Sequence, residues 1–183
     1  DLNLSDDRVF ATYTGTVGHG RDIINFYKAI KFNPDINFIV IGDDGSRFKS
    51  LLQKRNLPKN LEFKGYLKKN DVIKYQIASD ILINLLDKSH PNYEYCSQLK
   101  LFEYLATGNI VISPDIGSLK EIATSDKCLI YSQSSNDQLK KILHKVHVDL
   151  KSKEIQSLRE NAKNFVKERT WINRAKEIIK IYN

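Results

Sequence analysis

The chain has 183 residues, 41% of them apolar and 28% charged, which suits one domain with a hydrophobic core. No apolar run approaches the roughly 18–20 residues a helix needs to cross a bilayer, so a helical membrane span is not expected. Lys and Arg number 29 against 22 Asp and Glu, a net charge of +7 that favours acidic partners such as phosphates, anionic lipid or nucleic acid.

Short apolar runs alternate with longer helical patterns from the start. Val9–Thr14 (VFATYT) reads as a strand ending at Gly15. Asp22–Lys31 has helical spacing, with Ile23, Phe26, Tyr27 and Ile30 on one face. Asn37–Ile41 (NFIVI) is a second strand, stopped by the turn cluster Gly42-Asp43-Asp44-Gly45. Arg47–Arg55 reads as a helix ending before Pro58, and Leu61–Lys64 (LEFK) as a short strand running into Gly65. Asn70 is expected to cap a helix through about Ala78, followed by the strand Asp80–Asn84. A polar loop from Leu86 to Tyr95 leads to a helix over Gln98–Thr107, closed by Gly108. Asn109–Ser113 is the fifth strand, and Ser118-Leu119-Lys120-Glu121 resembles a capping box opening another helix. Cys128–Tyr131 is the last strand, and from Asn136 onward the chain reads as helical and basic.

Six strands, each followed by a helix or helical turn, predict an α/β fold: a Rossmann-like, doubly wound parallel sheet with helices on both faces. No linker, internal repeat or low-complexity segment divides the chain. Residues 1–183 therefore read as one domain, with 150–183 as a helical C-terminal extension. The chain lacks methionine, and Asp1-Leu2-Asn3 has neither the basic start nor the apolar stretch of a secretory signal. The expectation is a piece of a longer, cytoplasmic protein. Cys96 and Cys128 are far apart and form no CxxC pair, so free thiols are preferred to a disulfide.

Ligands of open parallel sheets bind beyond the carboxyl ends of the strands. There the sequence places Gly15-Thr16-Val17-Gly18-His19-Gly20-Arg21. Glycines allow close backbone approach, the following helix would offer N–H groups to an anion, and Arg21 adds a bidentate cation. The spacing is neither Gly-x-Gly-x-x-Gly nor a Walker loop, and a simple tight turn explains the glycines equally well. In the helix after the polar loop, Leu99, Phe102, Leu105 and Ala106 are expected to be buried. Lys100 sits in its first turn, where the helix dipole disfavours a cation unless an anion is bound. Glu103 is one turn further on, so the alternative is an ordinary surface ion pair between the two.

Taken together and in this order, these segments resemble the C-terminal domain of GT-B glycosyltransferases of the retaining family called group 1, or GT4. Ser97 to Val111 (SQLKLFEYLATGNIV) is similar to the family's S-P-x-K-x-x-E-y-l-A-x-G-k-P-V signature. Asp115 to Ile122 resembles d-x-G-g-x-x-E-i, Phe38–Gly45 resembles v-i-v-G-d-G, and Phe63–Leu67 resembles f-x-G-x-v. Tyr13-Thr14-Gly15 with Arg21 resembles the strand and basic residue that meet the donor diphosphate.

The resemblance implies a nucleotide-sugar-binding domain whose N-terminal acceptor domain lies outside this chain. It implies that Glu103 accepts hydrogen bonds from the ribose hydroxyls, and that Lys100 and Arg21 neutralise the diphosphate. Backbone N–H groups from Ser97 to Leu99 would help, Gly15 would allow close approach, and Tyr66 and Leu67 would line the base pocket. Three features depart from the pattern. Tyr95 stands where a Glu-x7-Glu arrangement has its first Glu, with Glu94 one residue off and therefore aimed differently. Gln98 and Ile110 replace prolines. Thr16 replaces a frequent arginine.

The implied reaction is transfer, with retention, from a nucleoside diphosphate sugar, with UDP as the expected carrier, to a saccharide or lipid-linked acceptor. The expected setting is bacterial surface polysaccharide synthesis (O-antigen, capsule or lipopolysaccharide). No metal or other cofactor is expected. Asp43-Asp44 and Asp6-Asp7 read as turn or solvated pairs, and His144 and His147 lack a third ligand. Lys140, Lys141, Lys145, Lys151, Lys153, Lys163 and Lys167 read either as a solvated face or as an attraction to an anionic inner membrane. Trp171, Ile172, Ala175, Ile178 and Ile179 mark a final amphipathic helix. In enzymes of this type the C-terminal helix crosses back to the first domain. Nucleic-acid binding has only the charge in its favour. The alternative from another class is a non-catalytic Rossmann-like regulatory or interaction module.

Overall fold

The computed structural model describes residue 4 and residues 7–53, 55–96, 98–133, 135 and 137–182. Ser97, Asn136, Asp6 and the segment Asp1-Leu2-Asn3 lie outside the described residues. The strands are β1 (Val9–Thr14), β2 (Ile36–Ile41), β3 (Leu61–Phe63), β4 (Ile81–Ile83), β5 (Ile110–Pro114) and β6 (Leu129–Tyr131). The helices are α1 (Ile23–Phe32), α2 (Ser46–Leu51), α3 (Lys69–Ala78), α4 (Leu99–Thr107), α5 (Leu119–Ile122), α6 (Gln138–Asp149), α7 (Lys153–Lys167) and α8 (Trp171–Tyr182).

All pairings between strands are parallel, in the order β3-β2-β1-β4-β5-β6. The chain winds outward from β1 to β3, then returns to lay β4 against the other side of β1. That reversal opens a crevice at the carboxyl ends of β1 and β4. Period-two alternation assigns the faces. Ala11, Tyr13, Phe38, Val40, Ile81, Ile83 and Ile112 join α1 and α6 residues in one core. Leu82 and Val111 point to the other side, where they meet Leu101, Tyr104 and Leu105 of α4 and Ala162 of α7. Ile39 and Ile41 meet Tyr75 of α3 on that second face.

The element boundaries differ from the sequence reading mainly at helix starts. Lys68, not Asn70, precedes α3, and it gives no side-chain cap. α2 stops at Leu51 because Leu52 and Gln53 leave helical geometry, Gln53 with a φ of 50°. Ser118 does not cap α5; its hydroxyl donates to the Cys96 carbonyl instead. The buried face of α4 is Leu101, Tyr104 and Leu105, while Leu99 is 58% exposed and Ala106 lies outside. The expected face is thus displaced around the helix, because the buried stripe includes a tyrosine that carries a polar tip. Cys96 and Cys128 are free. Trp171, Ile172, Ile178 and Ile179 of α8 are all exposed.

Candidate functional site

The site begins with an accounting problem at the end of β1. Its ladder with β4 covers only Ala11 and Thr12, so Thr14 has backbone groups without a strand partner on that side. Helix α4 supplies them. The Tyr104 hydroxyl accepts the Thr14 N–H at 2.8 Å, and the Lys100 ammonium donates to the Thr14 carbonyl at 2.8 Å. The Thr14 hydroxyl also shares a hydrogen bond with Tyr104 at 3.0 Å and accepts from the Gln76 amide at 3.2 Å. Burial raises the Tyr104 phenol well above its ordinary range, so it stays a neutral hydrogen-bonding post.

Lys100 is half-buried where it lines the crevice. Its Nζ lies 4.6 Å from the centroid of the buried Tyr13 ring. Burial, aided by the nearby Arg21 charge, lowers its pKa from 10.5 to about 7. Arg21 stands at the hydroxyl end of the same tyrosine, with one terminal nitrogen 3.0 Å from the Gly20 carbonyl. Its Nε is buried without a hydrogen-bond partner. Among the described residues no carboxylate lies within ion-pair distance of Lys100 or Arg21. Two cations therefore converge on one ring, Lys100 over its face and Arg21 at its hydroxyl, with no ion-paired carboxylate among the described residues, an arrangement that favours an anion between or above them.

Beside them opens a cleft of about 330 Å³, with Gly15, Gly42, Tyr66, Leu67, Lys100 and Glu103 on its walls, together with Ile41 and Val72. Gly15 has a φ of 130° and donates its N–H to the Ile41 carbonyl at 2.8 Å. A Cβ on Gly15 would sit 2.5 Å from the Lys100 ammonium, and one on Gly42 would sit 2.6 Å from the Gly15 carbonyl oxygen. The two backbones pack directly, which keeps the floor open to a ligand. Glu103 reaches the cleft half-exposed and pairs loosely with Lys69 of α3 at 3.9 Å. The alternative of a surface ion pair between Lys100 and Glu103 is not realised in this structure.

Most of the site residues foreseen in the sequence thus meet: Gly15, Tyr66, Leu67, Lys100 and Glu103 share the cleft, and Arg21 adjoins Lys100. Leu99 is outside the cleft walls, and Ser97 is outside the described residues. The N-terminus of α1 is not open to an anion as expected, because the buried Asp22 carboxylate caps it through the Asn25 N–H. Asp43 and Asp44 accept the N–H groups of Gly45 and Ser46, so they act as turn residues. Glu94 is exposed and accepts from the Tyr93 hydroxyl, while Tyr95 is 83% exposed. Gln98 precedes α4 with both amide atoms buried and unpaired and gives no side-chain cap. Tyr104 was missed as a site residue; the only signal was a tyrosine at a core position of the helix. Among the described residues no group of three metal-ligating side chains occurs.

Fold and site define a Rossmann-like domain with a cationic crevice at its topological switch point. The chain belongs to the glycosyl transferases group 1 family, whose profile matches residues 1–165. Solved structures share the fold. Sucrose-phosphate synthase from Thermosynechococcus elongatus superposes with a TM-score of 0.79 at 20% identity, over 99% of this chain and 46% of its own. Anabaena HepE, solved in complex with UDP, gives 0.75 at 15% identity, over 97% of this chain and 50% of its own. The C-terminal domain of the group 1 protein LpcC from Francisella tularensis gives 0.68 at 22% identity, over 87% of this chain and 84% of that one. The chain therefore spans about half the length of the first two and most of the third. A search of curated protein sequences finds no match. Among the described residues no helix is long and apolar enough to cross a membrane.

Proposed function

We propose that this chain is the donor-binding half of a glycosyltransferase that takes a nucleoside diphosphate sugar, with UDP as the carrier. The observation that carries this reading is the pairing of Lys100 and the adjoining Arg21, two cations with no ion-paired carboxylate among the described residues, with the carboxylate of Glu103, one helical turn from Lys100 on the cleft wall. A carboxylate accepts from vicinal ribose hydroxyls, and the cations match the charge of a diphosphate. Tyr66 and Leu67 supply an apolar end for the base, and Gly15 lets the chain approach the phosphates. The complexes of Anabaena HepE with UDP and with UDP-glucose support the choice of carrier.

In the proposed reaction negative charge grows on the departing diphosphate. Lys100 and Arg21 lower the barrier to the extent that they bind that charge more strongly than the ground state. No metal is assigned to the step. Transfer goes with retention to a saccharide or lipid-linked acceptor held by an N-terminal domain, against which the exposed apolar face of α8 would pack. The proposed setting is bacterial surface polysaccharide synthesis in the cytoplasm, peripheral to the inner face of the membrane, where the basic C-terminal surface faces anionic lipid.

Calorimetric titration with UDP-, GDP- and ADP-sugars, repeated on Glu103→Ala, tests the reading. One carrier should bind best and lose at least about tenfold with the variant, consistent with loss of a charge-assisted hydrogen bond. Absence of any binding would favour the non-catalytic module.

A further inference from the structure

β1 sends one polar-tipped side chain into the core beside the crevice. Tyr13 is fully buried, and its ring belongs to the core on the α1 side of the sheet. The Phe26 ring lies 6.4 Å away between centroids, and Phe26 in turn packs edge to face on Phe38 at 5.9 Å and on Phe48 at 6.2 Å. Close-packed rings of this kind leave Tyr13 little freedom to shift. Phenylalanine would serve burial alone, because a hydroxyl taken into a core costs free energy unless it is bonded.

Two sets of contacts account for the tyrosine. The Lys100 Nζ stands 4.6 Å from the ring centroid. The hydroxyl donates to the Thr16 carbonyl at 2.9 Å and so ties down the loop after β1. With its proton committed there, the oxygen can only accept, which suits the guanidinium of Arg21 beside it. The Arg21 charge offsets part of the rise that burial gives the phenol. Space is tight at this point. A Cβ on Gly15 would lie 3.4 Å from the hydroxyl and 2.5 Å from the Lys100 Nζ. One rigid ring thus fixes the loop and both cations, which would otherwise repel each other.

We propose that Tyr13 is a positioning residue for the donor diphosphate: its ring holds the Lys100 ammonium and its hydroxyl holds the Arg21 guanidinium, at one set spacing. The proposal rests on the donor-site reading above and adds a residue that acts on the phosphates only through the two cations. The π face stabilises the ammonium, and the hydroxyl keeps the guanidinium beside it. Holding two like charges together before the ligand arrives is unfavourable, and a diphosphate placed between them reverses the sign. The other titratable groups around Lys100 are Glu103 on α4, itself near Lys69 of α3, and Cys96 before α4. Tyr13 also faces Asp43 and Tyr104. The variants below leave all of these in place.

The test measures UDP, GDP and ADP against their monophosphates on the native chain and its variants, so that the ratio reads the share of the terminal phosphate. Tyr13→Phe keeps the ring and loses the hydroxyl, and should reduce that ratio about threefold to tenfold. In an Arg21→Ala background the same change should do nothing further, because the hydroxyl acts through the guanidinium. Tyr13→Leu removes the ring as well. The pH above which diphosphate affinity weakens should then lie about half a unit to one unit below that of Tyr13→Phe, since the ammonium has lost its π face. A residue that only filled the core would lower the urea midpoint and move neither the ratio nor the pH profile. If a diphosphate binds and Tyr13→Phe leaves the ratio unchanged, or its effect adds in full to that of Arg21→Ala, or the two Tyr13 variants share one pH profile, this assignment is wrong and the donor site stands. If no nucleotide binds the native chain, the donor-site reading fails and this one with it.

Discussion

Lys100 has exchanged part of the hydration of an ammonium for one carbonyl and the face of a ring, and the exchange makes its charge conditional. With a pKa of about 7 against an ordinary 10.5, the folded domain binds fewer protons than the unfolded chain between those values. Stability of the free domain therefore gains from this residue as pH rises through that window. The urea midpoint should increase from pH 7 to pH 9 by an amount that Lys100→Met removes. Ligand binding has the opposite sign. A diphosphate favours the ammonium, so above pH 7 it must bring a proton back, and its affinity should weaken by up to about tenfold per pH unit. Titrations at pH 7, 8 and 9 check this, and the slope should vanish in Lys100→Met. The sequence placed Lys100 at the site through its awkward position in the first turn of a helix. It could not reveal that the residue is partly desolvated, since that depends on the β1 carbonyl and on Tyr13, which is remote in the chain.

At the level of elements, α4 matters because it completes the hydrogen bonding of β1 where the sheet parts. Tyr104→Phe removes the acceptor of a buried N–H and should cost about 1–3 kcal/mol, read as a lower urea midpoint, and should weaken nucleotide binding by loosening Thr14. Gln98→Leu has the opposite expectation. It replaces two buried, unpaired polar atoms with apolar ones of similar volume and should raise the midpoint, by about 1 kcal/mol or more. The strands were legible because runs such as NFIVI and NIVIS are buried on both faces and leave no ambiguity of type. The phase of α4 was not, because a tyrosine hydroxyl bound to a strand backbone looks polar in the sequence but sits in the core. The Ser118 capping box was misread for a related reason: its hydroxyl is used across the fold, by Cys96, rather than along the helix. Local patterns record local competition for hydrogen bonds and say nothing of a distant competitor.

Across the whole molecule, the order β3-β2-β1-β4-β5-β6 gathers Gly15, Leu67 and Lys100 from distant parts of the chain into one crevice. The alternation of strands and helices made a doubly wound parallel sheet readable in the sequence, but not its strand order, and the matched motifs pointed to the loops that line the crevice. The basic C-terminal half was harder to interpret. Part of its charge is spent locally, since Lys140 pairs with Asp137 and lies over Phe32, and Lys145 pairs with Glu154. The chain spans about half of several similar structures, and α8 carries exposed Trp171, Ile172 and Ile179 with nothing packed on them among the described residues. The domain by itself should therefore bind donor and transfer nothing. A radiolabelled-sugar assay on the 183-residue chain should give no product above the uncatalysed background, and measurable turnover would refute the division of labour proposed for the two halves.

The central claim is that one crevice holds ribose and diphosphate together. Amide chemical-shift mapping by NMR during titration with the nucleoside diphosphate that binds best tests it directly. The account predicts saturable shifts at Gly15, Leu67, Lys100 and Glu103, with α6 and α7 unaffected. Shifts centred on the basic C-terminal helices, with those four amides unmoved, would contradict it.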